Sequence, residues 1–231
     1  MIRAVFFDLG STLWDDYPSE LAYWETLSGI FARRGLAASL EQIMALVPEV
    51  IASYCPSLTR AIVWRTVGAD RQLYDEVIAE LVRHMLERFR DPAEFRRLNP
   101  LFDGVPVMLD LLARKYTLAV VSQNFAEAQE WMQFHGLSSY FEHTTLSGKE
   151  HMYKPDPRLF LRTCEALNVE PREVVMVGDR LDNDIWPANR LRMTTVRVLA
   201  DPYRIQQPRY HCDVPDFTVE HTPELLNIVP L

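Results

Sequence analysis

The chain has 231 residues, 48% of them apolar and 24% charged, with 24 basic and 32 acidic side chains and a formal net charge of −8. That balance excludes an intrinsically disordered or collagen-like chain and argues against a nucleic-acid-binding surface, which carries a basic excess. At about 150 residues per domain, the length accommodates one domain with a large insertion or two small ones.

Only three residues are lysines, Lys115, Lys149 and Lys154, so chemistry that needs an amine has few candidates. Cys55, Cys164 and Cys212 lie far apart with no C-x-x-C, which indicates neither a disulfide framework nor a zinc site and leads us to expect a reducing compartment. No apolar run approaches the ~18 residues of a membrane span. Val5-Phe6-Phe7 is interrupted at once by Asp8, so no secretory signal is expected either. The expectation is a cytoplasmic protein with a small-molecule substrate and no nucleic-acid or membrane partner, its oligomeric state left open.

In chain order, residues 2–7 form a short run rich in β-formers, stopped by Asp8, Gly10, Ser11 and Thr12, and read as a buried strand ending in a loop. Residues 16–97 read as helical. Pro18 and Ser19 open a first helix with Leu21, Trp24, Leu27, Ile30 and Phe31 in register, closed by Gly35. Ser39 with Gln42 fits a capping box for a second helix, which Pro48 is expected to break or kink. Asp70 starts a third, with Leu73, Val77, Leu81 and Met85 in register.

From about residue 104, strands and helices alternate. Leu118–Val121 reads as a strand ending at Ser122, followed by a helix with Asn124 and Glu127 as a capping pair and Gly136 as its stop. A helix over Pro157–Leu167, a strand Val174–Val177 ending at Gly178-Asp179, a helix near Asp184–Leu191 and a strand Thr195–Leu199 follow. Such alternation predicts an α/β fold: a Rossmann-like three-layer core with a parallel sheet, interrupted by the helical zone.

In such a sheet, ligands bind outside the carboxyl ends of the strands. The polar residues there are Asp8, Ser122, Asp179, Asp182 and Asp184, with Lys154 in an extended stretch before Pro155. Carboxylates from separate strands can hold a hard divalent cation such as Mg²⁺. The cation and a lysine together neutralise a phosphate dianion, and a free carboxylate in line with the phosphorus can form an aspartyl phosphate. Ser122 and the amides that follow it can hold non-bridging oxygens. These pieces fit metal-assisted phosphoryl transfer.

Four motifs now become readable in order: Phe7-Asp8-Leu9-Gly10-Ser11-Thr12-Leu13, Val120-Val121-Ser122-Gln123-Asn124, Lys154-Pro155-Asp156-Pro157 with Phe160, and Val177-Gly178-Asp179-Arg180-Leu181-Asp182-Asn183-Asp184-Ile185. Together they resemble the haloacid dehalogenase-like hydrolase superfamily. The helical zone is similar to that superfamily's α-helical cap of the first type, giving a core of 1–15 and 98–231 and a cap of 16–97. The resemblance implies Asp8 as nucleophile and Mg²⁺ ligand, with Asp179 and Asp184 as further ligands and the Gly10 carbonyl able to reach the metal. It implies Ser122 and Lys154 as holders of the phosphoryl group, with Gln123 and Asn124 on the substrate side. Asp182 is read as a cap of the following helix.

One departure stands out. Phosphatases of this superfamily usually carry a second Asp two residues after the nucleophile, as acid/base, and here that position is Gly10. General acid/base help is worth about 10²–10⁴-fold, or roughly 3–5 kcal/mol. Three readings follow: a Mg²⁺-dependent phosphatase that favours good leaving groups, a metal-independent carbon–halogen hydrolase, and a non-catalytic binding protein. A phosphonatase needs a Schiff-base lysine in the cap, and residues 16–97 contain none. The cap is expected to choose the substrate, with Trp24, Trp64, Arg33, Arg34 and Arg65 among the candidates and Trp14 just before its first residue. Pro187 is tolerable in a helix's first turn, whereas Arg192, where relatives often have glycine, leaves that helix's end in question.

Overall fold

The computed structural model describes residues 1–228. The chain divides into two compact units, one made of Met1–Asp15 and the chain from Pro100 onward, the other of Asp16–Asn99. The first is built on six strands: β1 (Ala4–Phe7), β2 (Thr117–Ser122), β3 (His143–Leu146), β4 (Val174–Gly178), β5 (Thr194–Val198) and β6 (Phe217–Val219). They lie in the order β3-β2-β1-β4-β5-β6, every pair parallel. All four residues of β1 are buried, as an unbroken apolar run requires when crossovers cover both faces of a sheet. On one face Ala4, Phe6, Ala119, Val121, Val174 and Met176 form a core cluster with Leu159, Phe160 and Cys164. From central β1 the chain runs outward through β2 and β3, then crosses to the other side of β1 for β4. That reversal opens a crevice at the carboxyl ends of β1 and β4, the place where such sheets bind ligands. This is the expected Rossmann-like α/β core.

The second unit is entirely helical among the described residues: α1 (Tyr17–Arg33), α2 (Leu40–Ala52), α3 (Leu58–Val67), α4 (Arg71–Arg88) and α5 (Pro92–Leu98). Helix α1 ends as expected at Gly35, whose φ of +69° lets the Gly35 and Leu36 N–H groups donate back to Ala32 and Phe31. The Ser39/Gln42 capping box forms, with Gln42 N donating to Ser39 Oγ at 3.3 Å and Ser39 N to Gln42 Oε1 at 2.8 Å. Asp70 caps α4 through Leu73 N at 2.9 Å. Pro48, however, does not break α2, which runs through it. Pro48 and Met44 are both exposed, so water reaches the Met44 carbonyl that the proline leaves without an intrahelical donor. Helices α3 and α5 were not anticipated. Trp24 is 1% exposed and belongs to this unit's core, whereas Trp64 is 46% exposed beside Tyr74. Arg33 and Arg34 both pair with Glu80, and Arg65 with Glu49.

The remaining helices belong to the first unit: α6 (Val105–Ala113), α7 (Ala128–Phe134), α8 (Ser147–Glu150), α9 (Pro157–Leu167), α10 (Trp186–Arg190) and α11 (Leu225–Ile228). Helix α9 has the expected bounds and is capped by Asp156, which accepts from Arg158 N at 3.0 Å. The helix after β2 departs from expectation. It begins at Ala128 without a side-chain cap, because a turn closed by Ala128 N to Phe125 O fills residues 125–128. The expected Asp184–Leu191 helix is instead a π-helical turn over Leu181–Ile185 followed by α10. Pro187 falls in the first turn of α10, and Arg192 adopts the left-handed φ of +63° that a glycine would take. The N–H groups of Arg192 and Met193 then reach Asn189 and Ala188, each at 3.0 Å, which closes the helix. Strands β3 and β6 were missed because each is a short edge strand of mixed polarity. Among the described residues no helix is long and apolar enough to cross a membrane.

Candidate active site

Parallel pairing of β1 with β4 extends one residue past the strand, where Asp8 N donates to Val177 O at 2.9 Å. This places the half-buried Asp8 carboxylate at the mouth of the crevice. Lys154, on the segment between α8 and α9, is 2% exposed, and its Nζ lies 3.0 Å from Asp8 Oδ1 and 2.5 Å from Asp184 Oδ1. Its ammonium also sits 5.9 Å from the centroid of the Phe160 ring. Asp184 is fully buried, and its other oxygen accepts from Arg180 N at 3.1 Å. Gly178 makes room for it: a Cβ at that position would fall 2.4 Å from Asp184 Cγ.

Carboxylate oxygens of Asp8, Asp179 and Asp184 all lie within 4.8 Å of one another. Three carboxylates against the one Lys154 ammonium leave two negative charges, and the donors are all hard oxygens. That set fits a divalent cation of the Mg²⁺ kind. Burial works against the Lys154 charge, but attraction from Asp184 and Asp8 outweighs it and holds the ammonium above its ordinary pKa. Asp184 is pushed up to about 6, by burial first of all, with Lys154 pulling it back and Asp8 adding repulsion. Both groups shift upward, which favours the charged form of Lys154 but disfavours that of Asp184, because Lys154 faces two anions while Asp184 is buried and faces one cation and one anion.

Ser122 ends β2, the strand beside β1, and is 1% exposed. Its Oγ accepts a hydrogen bond from Asn124 Nδ2 at 3.2 Å, so Asn124 serves this hydroxyl rather than the start of α7. Gln123 is half-buried between them in sequence, and Gly10 is buried in the turn after Asp8. Lys149 Nζ is turned to Gln129 Oε1 on the surface, which leaves Lys154 as the site's amine.

Residues 2–191 match the family model of the haloacid dehalogenase-like hydrolases. The chain belongs to this family. It is 33% identical to a glyceraldehyde 3-phosphate phosphatase of Methanopyrus kandleri, over 99% of this chain and 97% of that one. A protein of the same name from Pyrococcus furiosus is 36% identical over 99% and 93%. Among solved structures, a predicted phosphoglycolate phosphatase of Haemophilus somnus superposes with a TM-score of 0.77 at 18% identity, covering 98% of this chain and 97% of that one, which establishes likeness of fold.

In this haloacid dehalogenase-like chain, the loop carrying Asp179 and Asp184 is held by Arg180, Tyr203, Gln206 and Arg197, none of them a predicted site residue, together with Asp182 in a role other than the expected one. Asp182 does not cap a helix. It forms a buried two-pronged ion pair with Arg180, Nη2–Oδ2 2.6 Å and Nε–Oδ1 3.1 Å, which lowers its pKa against the effect of burial. The Arg180 guanidinium also donates to Tyr203 Oη at 3.1 Å and stacks 4.3 Å from that ring. Gln206 bonds Asp182 Oδ1 through Nε2 and accepts from Leu181 N at 2.9 Å. From β5, Arg197 donates to the carbonyls of Asp179 (3.3 Å), Gln206 (3.0 Å) and Tyr203 (2.9 Å). The available signal was an arginine inside an otherwise uncharged strand, since a buried charge needs a dedicated set of acceptors.

Proposed function

We propose that the chain is a Mg²⁺-dependent phosphatase of small phosphorylated metabolites, working through an aspartyl phosphate on Asp8. The observation that carries this reading is the buried Lys154 ammonium bridging Asp8 and Asp184 beside Asp179. An Asp8 oxygen attacks phosphorus, the ester P–O bond breaks and the alcohol leaves as its oxyanion, which takes a proton from solvent; water then attacks the Asp8 acyl phosphate, the bond to the Asp8 oxygen breaks, and phosphate is released with the carboxylate restored. Lys154 and Ser122 hold the non-bridging oxygens as charge builds on them. Asp8, the Gly10 carbonyl, Asp179 and Asp184 would hold the cation, which when bound neutralises phosphoryl charge. Two relatives named as phosphatases, at 33% and 36% identity over nearly the whole chain, support the same chemistry and make glyceraldehyde 3-phosphate the first ester to test. The five-helix unit is proposed as the cap that selects substrate.

With Gly10 in place of the acid/base Asp, leaving groups that need little protonation are favoured: aryl, acyl and anomeric phosphates. A screen of phosphate esters with and without Mg²⁺ tests the reading, with Asp8→Asn as the control. Mg²⁺-dependent phosphate release lost in Asp8→Asn is the expected result. Halide release from haloacids that survives EDTA would favour the carbon–halogen reading instead. We further expect Gly10→Asp to raise turnover on alkyl phosphates by about 10-fold or more, and on p-nitrophenyl phosphate much less. Equal gains on both would show that the missing carboxyl is not what limits alkyl esters.

A further inference from the structure

We propose that Asn124 is a positioning residue that fixes the rotor of the Ser122 hydroxyl, so that its single proton is presented to the substrate's phosphoryl oxygen; this rests on the phosphatase reading above. A serine hydroxyl has one proton to donate and two lone pairs to accept with. Asn124 Nδ2 occupies one lone pair of Ser122 Oγ at 3.2 Å. Among the described residues the Ser122 hydroxyl donates to nothing, although the residue is 1% exposed at the carboxyl end of β2. A buried donor with its acceptor side already engaged is poised for an incoming acceptor, and a phosphoryl oxygen is the acceptor this site would receive.

Asn124 is itself held from behind. Gly148, in α8, donates its N–H to the Asn124 carbonyl at 2.9 Å. The approach is so close that a Cβ on Gly148 would lie 2.7 Å from Ala126 N and 3.0 Å from Asn124 O. These are backbone atoms and cannot swing aside, so the contact fixes the loop that aims the Asn124 amide. Asn124 therefore acts through Ser122, one bond away from the phosphoryl group.

A double-mutant cycle tests this, using inorganic phosphate in Mg²⁺ buffer as the probe and calorimetric titration as the readout. Ser122→Ala is expected to weaken phosphate binding by about 10-fold and Asn124→Ala by about 3–10-fold. In the Ser122→Ala background, Asn124→Ala should add less than 2-fold, because the hydroxyl it served is gone. Asn124→Asp keeps the shape but turns the donor into an acceptor that captures the Ser122 proton. It should leave the melting temperature unchanged and cost more affinity with Ser122 present than with alanine there. Equal losses in both backgrounds, or no loss in either, would overturn the positioning role while phosphate binding by the wild type keeps the phosphatase reading intact. Failure of the wild type to bind phosphate at all would overturn both.

Discussion

Two glycines and one lysine do most to shape the site. In the proposed mechanism Gly10 stands where an acid/base carboxyl is expected, and its consequence is chemical. Gly178 matters for packing, since the Asp184 carboxylate occupies the space its side chain would take. Gly178→Ala should therefore destabilise the protein by about 1–3 kcal/mol, the usual cost of overpacking. It should also push Asp184 off the carboxylate cluster and weaken the proposed Mg²⁺ binding at least 10-fold. Thermal melting and a Mg²⁺ titration check the two effects separately. The glycine was visible in the sequence as part of a motif. Its reason was not, because the clash is with a side chain six residues on that returns only through the π-helical turn. Lys154, by contrast, was legible from its extended stretch before Pro155 and from scarcity, with only two other lysines in the chain, while its role came from the family resemblance.

Among the elements, capping signals held where no buried partner competed for the side chain, since a cap is a contact between residues two or three apart. The Ser39 box, Asp70, Gly35 and Gly136 all behave as short-range chemistry requires. The failures were long-range. Asn124 had cap chemistry but its amide is claimed by Ser122, and Asp182 had cap chemistry but is claimed by Arg180. Helix α5, also missed, is joined to α4 by one carboxylate: Glu94 takes Arg97 on Nε and Nη2, each at 2.8 Å, and Arg88 on Nε at 2.6 Å. The Arg97 hydrogen bonds first, then those from Arg88, outweigh burial and hold Glu94 at about 2 against an ordinary 4.5. A carboxyl whose folded pKa is depressed contributes stability above its ordinary pKa, and that contribution drains away as pH falls toward the folded value. Screening by solvent limits it to about 1 kcal/mol. Glu94→Gln is expected to lower stability by that amount at pH 7, with the difference from wild type shrinking below about pH 4.5 and gone near pH 2. Denaturant titrations across that range measure it.

At the scale of the whole molecule, the site is assembled from segments up to 176 positions apart, Asp8 and Asp184, and the sheet order brings them together. Holding them needs a second set of residues still further along the chain. Arg197 is 6% exposed and ties the segment after β5 to the Asp179 carbonyl, while Thr222 Oγ1 donates to the Thr12 carbonyl in the turn after Asp8. Arg197→Met should leave several buried carbonyls without donors and destabilise the protein by roughly 3 kcal/mol or more. Chemical denaturation measures that loss, and the Mg²⁺ titration should weaken with it as the Asp179 loop loosens.

The amino-acid sequence by itself determined the α/β alternation, the strand ends and the chemical inventory there: a lone carboxylate at Asp8, a hydroxyl at Ser122, an amine at Lys154 and an acidic loop from Asp179 to Asp184. These follow from hydrophobic runs and their polar stops, which are local properties. Only the tertiary structure decided that Lys154 bridges Asp8 and Asp184, that Asp182 belongs to Arg180, and that Asn124 turns to Ser122. Each of those is a choice among partners that a polar side chain could make equally well in isolation. Burial settles it, because a buried charge or amide left unmatched costs more than any local preference supplies.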